Sequence, residues 1–122
     1  MFRLWLCALA MLGFLAATAG LAQAHAVLLE GHPAAAGRVG PGGIEVRLRY
    51  NSRIDAARSR LTLMRPDGAQ TVLSIATGTG ADVLVATAEL GPGAHVLRWQ
   101  VLAVDGHITR GEIRFTVLAG SP

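Results

Sequence analysis

Hydrophobic and polar residues alternate along much of the chain beyond the first two dozen positions. In residues 44–50 an apolar side chain occupies every second position from Ile44 to Tyr50, with charged side chains between them. The same alternation recurs in residues 96–101 and again in residues 112–117. Successive side chains of a strand point to opposite faces, so each segment is typical of an antiparallel strand with one buried face.

Turn residues separate these segments and set their spacing. Pro66-Asp67-Gly68 and Gly91-Pro92-Gly93 are strong turn signals. Four further β-rich segments cover residues 27–29, 61–63, 70–75 and 82–88. About seven strands at such spacing predict an all-β sandwich or barrel. We expect a seven-stranded Greek-key architecture of immunoglobulin-like type, with at most one helical turn, at residues 54–58.

The first 24 residues have a different character. Arg3 supplies a positive start, residues 4–21 are almost unbroken apolar sequence, and Ala22-Gln23-Ala24 is a small-x-small tripeptide of the kind that signal peptidase cleaves. We therefore expect an export signal at residues 1–24 and a single domain at residues 25–122. An uncleaved anchor is the alternative, because the apolar run approaches the length that spans a bilayer, but its small-residue exit favours cleavage.

Composition narrows the compartment and the partners. The one cysteine, Cys7, lies in the expected signal, so a disulfide scaffold is excluded, and export without disulfides is compatible with the bacterial periplasm. All 11 basic residues are arginines, scattered without a run, against 8 acidic residues. A nucleic-acid surface would need them clustered. We expect a soluble, monomeric mature domain that does not bind nucleic acid.

Two distant histidines carry the candidate chemistry. Cleavage after Ala24 would make His25 the first residue, with an α-amine and a ring Nδ1 that can bind one metal ion together. Asp105 and His107, in the tripeptide Asp105-Gly106-His107, fall at a strand end, and Gly106 lets the backbone turn so that their side chains converge. A tetragonal set of nitrogen and oxygen donors suits Cu(II). We therefore predict a copper site formed by His25, Asp105 and His107.

Each half of this site also has an ordinary structural interpretation. A histidine at a mature terminus is usually part of a frayed end. An Asp-Gly pair is a common turn signal, and the histidine after it would then be solvated. The conjunction of both halves in an exported β-domain favours the metal interpretation.

Several stretches of the chain resemble the CopC family of periplasmic copper-binding proteins. They are the run His25-Ala26-Val27-Leu28, the pair Pro33-Ala34, the strand ending at Tyr50, and above all residues 93–111 (GAHVLRWQVLAVDGHITRG). The most specific part is Trp99 followed by Asp105-x-His107 and Gly111. The resemblance implies a seven-stranded Greek-key sandwich binding one Cu(II) through the amine and Nδ1 of His25, the Asp105 carboxylate and the His107 ring.

The chain departs from the family's pattern in ways that narrow this expectation. Ser52 stands where some members have a glutamate, so no extra carboxylate is expected there. Some members bind Cu(I) through methionines, but Met64 is the only methionine after residue 24, and thioethers are the ligands that suit Cu(I). We expect Cu(II) binding alone. His95 is expected at the surface and His32 outside the ligand set.

Three functional hypotheses follow. The first is a non-enzymatic copper carrier or buffer in copper resistance or homeostasis, which delivers Cu(II) to a membrane importer of the CopD type or to a periplasmic oxidase. The second is a copper monooxygenase with a histidine brace, which would need an exposed aromatic platform. The third is a metal-free structural sandwich.

Overall fold

The computed structural model describes residues 26–120 of the chain. All regular structure in this range is β-strand, and no helix long and apolar enough to cross a membrane occurs in it. The expected signal segment, residues 1–24, and the candidate ligand His25 lie outside the described residues. The strands are β1 (Leu28–His32), β2 (Arg38–Val39), β3 (Gly42–Tyr50), β4 (Ile54–Met64), β5 (Gln70–Leu73), β6 (Val83–Leu90), β7 (Gly93–Ala103) and β8 (Ile108–Val117).

The strands form two sheets that pack face to face. One has the order β1-β3-β6 and the other the order β2-β8-β7-β4-β5. All pairings are antiparallel except that of β2 with β8. The expected all-β sandwich is therefore confirmed, with eight strands in the described range rather than seven. The additional strand is β2, which at two residues is too short to produce a period-two pattern.

The core follows from the alternation of apolar side chains. In β7, Leu97, Trp99 and Val101 are buried, and Arg98 between them is exposed. The Trp99 ring packs edge-to-face on Tyr50 from the other sheet, with 5.3 Å between ring centroids. Gly111 pairs with Trp99 on β8 and leaves room for the indole, because a Cβ at this position would overlap the ring. The two aromatic rings thus join the sheets.

The helical turn that the sequence left possible at residues 54–58 is not formed, because these residues belong to β4. The register with β7 shifts between Asp55 and Arg60. In the intervening segment, the Ser59 hydroxyl donates to the Asp55 carbonyl at 2.7 Å, and the Arg58 N–H donates to the Asp55 carboxylate at 3.3 Å. The extra residues form a β-bulge, whose short-range bonds replace the ladder locally.

Candidate metal centre

Asp105 and His107 lie in the tight turn that joins β7 to β8, at one end of the sandwich. The Gly106 N–H donates to the Ala103 carbonyl at 2.9 Å, and the Ala103 N–H donates to the His107 carbonyl at 2.8 Å. Gly106 has φ +92°, a conformation that a glycine adopts without strain. Adjacent strand ends and these bonds hold the turn, so both candidate side chains project from a rigid base.

The two side chains meet within this turn. His107 Nδ1 lies 3.1 Å from Asp105 Oδ2, and Asp105 Oδ1 accepts a hydrogen bond of 3.1 Å from the His107 backbone N–H. Both side chains are partly open to solvent, with 40% of His107 and 44% of Asp105 exposed. The sequence expectation that Gly106 lets the pair converge therefore agrees with the observed geometry. One carboxylate oxygen orients the turn, and the other faces the imidazole.

The loop 51–53 connects this turn to the start of the described chain. The Val104 N–H donates to the Arg53 carbonyl at 3.2 Å. On the other side of the same loop, the Val27 N–H donates to Asn51 Oδ1 at 2.8 Å, and the Asn51 N–H donates to the Val27 carbonyl at 3.0 Å. Ala26, the first described residue, is fully buried in the core. The start of the described range, at Ala26 and Val27, and the Asp105–His107 turn therefore flank one short loop.

Asp105 and His107 provide two donors, which is fewer than a tetragonal site requires. Among residues 26–120, no group of three or more His, Cys, Asp or Glu side chains is arranged to hold a metal ion. The other predicted ligand, His25, lies outside that range, one residue before the buried Ala26. The predicted set of three residues is thus present in the described chain only as its Asp-His half.

The other two histidines lie away from this turn. The expectation that His95 is at the surface is wrong: it is 2% exposed and stacks on Phe115 with ring centroids 5.4 Å apart. A residue that follows a Gly-Pro-Gly turn still faces inward if its strand register places it on the core side. His32 is exposed at the end of β1 remote from the Leu28–Tyr50 pair, and within the described chain it belongs to no group of three or more possible metal ligands.

Ser52 and Met64 also have clear positions. Ser52 lies in the loop 51–53, beside the turn, and its hydroxyl is buried with no hydrogen-bond partner among the described residues. Met64 ends β4 at the opposite end of the sandwich from Ile54, which pairs with Ala103 next to the candidate site. The one methionine of the described chain is therefore far from Asp105 and His107.

Tyr50 lies beneath this end of the sandwich, directly before the loop 51–53. It is 1% exposed, its hydroxyl has no hydrogen-bond partner among the described residues, and burial raises the pKa of the phenol well above its ordinary value. The hydroxyl therefore stays protonated at neutral pH and does not offer an anionic oxygen to a metal.

Comparison with known proteins places the chain in a family. Residues 28–118 match the CopC domain. No curated protein sequence matches the chain.

Two solved structures share the fold over nearly their whole length. CopC from Methylosinus trichosporium OB3b superposes with a TM-score of 0.73 at 26% identity, covering 80% of this chain and 98% of that one. PcoC, a methionine-rich copper resistance protein from Escherichia coli, superposes with a TM-score of 0.62 at 22% identity, covering 77% and 99%. Because the family match extends over most of the chain, the protein belongs to the CopC domain family.

Proposed function

We propose that this protein binds one Cu(II) per chain in the periplasm and acts as a copper carrier or buffer in copper resistance or homeostasis. Membership of the CopC domain family and the fold shared with a copper resistance protein support a copper-related role. The observation that carries the proposal is the convergence of the Asp105 carboxylate and the His107 imidazole on a partly exposed, rigid turn.

The donor atoms suit the ion. Imidazole and carboxylate bind divalent metals at about 2 Å, so two such ligands at a right angle lie about 3 Å apart. His107 Nδ1 and Asp105 Oδ2 are 3.1 Å apart. Nitrogen and oxygen donors in a tetragonal arrangement favour Cu(II), and the observed separation suits two neighbouring positions of such a site.

The remaining donors in this proposal come from His25. If residues 1–24 are removed on export, His25 carries both a free α-amine and a ring. Its Cα is one peptide, about 3.8 Å, from that of Ala26, which is buried, and Val27 is held by two hydrogen bonds to Asn51. This anchorage keeps Ala26 and Val27 beside the loop that also bonds the Asp105–His107 turn, and that proximity supports the proposed role of His25.

The described side chains favour a carrier of Cu(II) over the alternatives. A monooxygenase acting on a polymer would need an exposed aromatic platform, but Tyr50, Trp99 and Phe115 are all buried. Thioether ligands for Cu(I) are scarce, because Met64 is remote from the site. A carrier needs only deprotonated, preorganised ligands. Delivery to a membrane importer of the CopD type or to a periplasmic oxidase is the role we infer.

The decisive experiment uses the protein exported by its own signal. Mass spectrometry should find His25 as the first residue, and titration with Cu(II) should give one tightly bound ion with a tetragonal electron paramagnetic resonance spectrum. A variant with one alanine inserted before His25 should lose most of the affinity, since the amine moves out of reach. A control with one alanine added after Pro122 should bind like the native protein. Equal binding by both variants would contradict the amine ligand, and absence of binding by the native protein would contradict the function.

A further inference from the structure

A groove on the outer face of the five-stranded sheet gathers three arginines that are distant in sequence. Its volume is about 360 Å³, and most of its lining residues are polar or charged, the others being Trp99 and Gly111. Strand register explains the gathering, because Arg60 pairs with Gln100 and Gln100 with Arg110, while Arg98 lies in the next row. We call this the arginine groove, defined by Arg60, Thr62, Arg98, Gln100, Arg110 and Glu112.

Two of these guanidinium groups are held in place by neighbours across the sheet. Arg110 Nε donates to Gln100 Oε1 at 2.9 Å, and Arg98 Nε donates to Glu112 Oε1 at 3.2 Å. An arginine has five N–H donors, so each keeps most of its donors for a ligand. The third guanidinium, that of Arg60, makes no hydrogen bond or ion pair with any of the residues from 26 to 120. The groove therefore combines preorganised and adaptable donors.

The groove has an excess of positive charge. Glu112 is its one carboxylate, and Glu112 is shared with Arg114, which lies 3.2 Å away outside the groove. The three arginines of the groove therefore have one carboxylate among them, and that carboxylate also pairs with Arg114. The other polar residues, Gln100 and Thr62, are neutral.

The outer face of the three-stranded sheet is different. There, Arg49 lies 3.1 Å from Glu30, and Arg47 lies 4.0 Å from Glu45, so each arginine has its own carboxylate. The charge excess of the arginine groove is therefore a local feature of one face and does not simply reflect the arginine-rich composition.

We propose that the arginine groove binds an acidic segment of a protein partner through its carboxylates. The planar fork of a guanidinium matches a carboxylate bidentately. A short concave groove with three arginines fits a peptide segment rather than an extended phosphate backbone, which needs a longer basic track. Exposed charges give weak, salt-sensitive attraction, so we expect a transient complex.

The position of the groove suits a partner that exchanges metal with the protein. Arg110 lies on β8, three residues after His107 in the turn, which corresponds to about 10 Å along the strand direction. A partner segment seated in the groove would lie next to the Asp105–His107 turn. The binding itself does not depend on copper, so the proposal can be tested on metal-free protein.

The test uses an N-acetylated hexaglutamate amide as the probe, with hexalysine as its opposite, in an amide NMR titration of the metal-free exported protein. Hexaglutamate should shift signals of groove residues on β4, β7 and β8, and its affinity should fall severalfold when NaCl is raised from about 20 to about 150 mM. The triple variant Arg60→Gln, Arg98→Gln, Arg110→Gln should bind about tenfold more weakly. The single variant Arg60→Gln, which leaves the cross-strand bonds intact, should bind about twofold more weakly.

The matched control removes the same charge elsewhere, as Arg38→Gln, Arg47→Gln, Arg49→Gln, and should change affinity less than twofold. Equal losses in the two triple variants would overturn the proposal, because attraction would then follow net charge alone. So would shifts of the same groove signals by inorganic phosphate at equal ionic strength, which would indicate a small-anion site. Groove-dependent binding to phosphatidylglycerol vesicles without binding to hexaglutamate would also overturn it in favour of a membrane surface.

Discussion

The two ends of the β7–β8 hairpin each carry a histidine, in opposite environments. His107 lies in the connecting turn, 40% exposed, with its Nδ1 3.1 Å from a carboxylate oxygen. His95 lies near the start of β7, 2% exposed, stacked on Phe115, with its Nδ1 3.1 Å from the Gly93 carbonyl. A ligand needs solvent access and a second donor at the right distance, and a core residue needs close packing. The same side chain thus belongs to a candidate site at one end and to the core at the other.

The largest expected effect comes from His107→Ala. Loss of a direct ligand should weaken Cu(II) binding by more than about 100-fold, beyond the usual effect of changing a residue that only supports a ligand. The free energy of unfolding of the metal-free protein should change by less than about 0.5 kcal/mol, because the side chain is partly exposed. Isothermal titration and urea unfolding measure the two quantities. Native-like copper affinity in this variant would exclude His107 as a ligand.

His95→Ala should give the opposite pair of results. Removing a buried ring leaves a cavity against Phe115 and should lower the free energy of unfolding by about 2–4 kcal/mol, while copper affinity stays within about twofold of the native value. His95→Phe, which keeps a ring in the stack, should cost less, about 1 kcal/mol. A large loss of copper affinity in a folded His95 variant would contradict the separation of the two ends.

Asn51→Ala tests how the site end is assembled. Its Oδ1 accepts a hydrogen bond from the Val27 N–H at 2.8 Å, so the variant should release Val27 from the loop 51–53. Cu(II) binding should weaken about tenfold, the range typical of residues that orient a ligand. Thr87→Ala, an exposed position on β6, is the control and should bind normally. If copper affinity is unchanged in Asn51→Ala, the anchorage of Val27 does not contribute to the site.

The variant Tyr50→Phe tests the burial of Tyr50 at the site end through the pH dependence of the free energy of unfolding. Its expected effect is the smallest of the four. Because burial raises the pKa of Tyr50, the unfolded chain loses this proton first as the pH rises past about 10. The native fold therefore loses up to about 1.4 kcal/mol per pH unit between the unfolded and folded pKa values. Tyr50→Phe lacks this loss, so it should match the native protein at pH 7 and exceed its stability at pH 11. Urea unfolding with the same stability difference at both pH values would contradict a raised pKa.

Much of the fold and part of the candidate site followed from short-range patterns. The alternation in residues 44–50 and 96–101 predicted strands that the structure contains as parts of β3 and β7. The Asp-Gly pair predicted the turn at Asp105-Gly106-His107, and a glycine with φ +92° occupies it. The pattern did not identify residues 54–58 as part of a strand, because the register of β4 with β7 shifts between Asp55 and Arg60. The involvement of His25 stays a prediction.

What the sequence alone determined is the set of features that depend on neighbours along the chain: strand periodicity, turn chemistry and the pairing of Asp105 with His107 across one glycine. Only the tertiary structure decided the features that depend on register and packing between strands. These are the burial of His95 against Phe115, the attachment of Val27 and Val104 to the loop 51–53, and the meeting of Arg60, Arg98 and Arg110 in one groove. Scattered positions become neighbours only when strands pair, because register sets which side chains share a face.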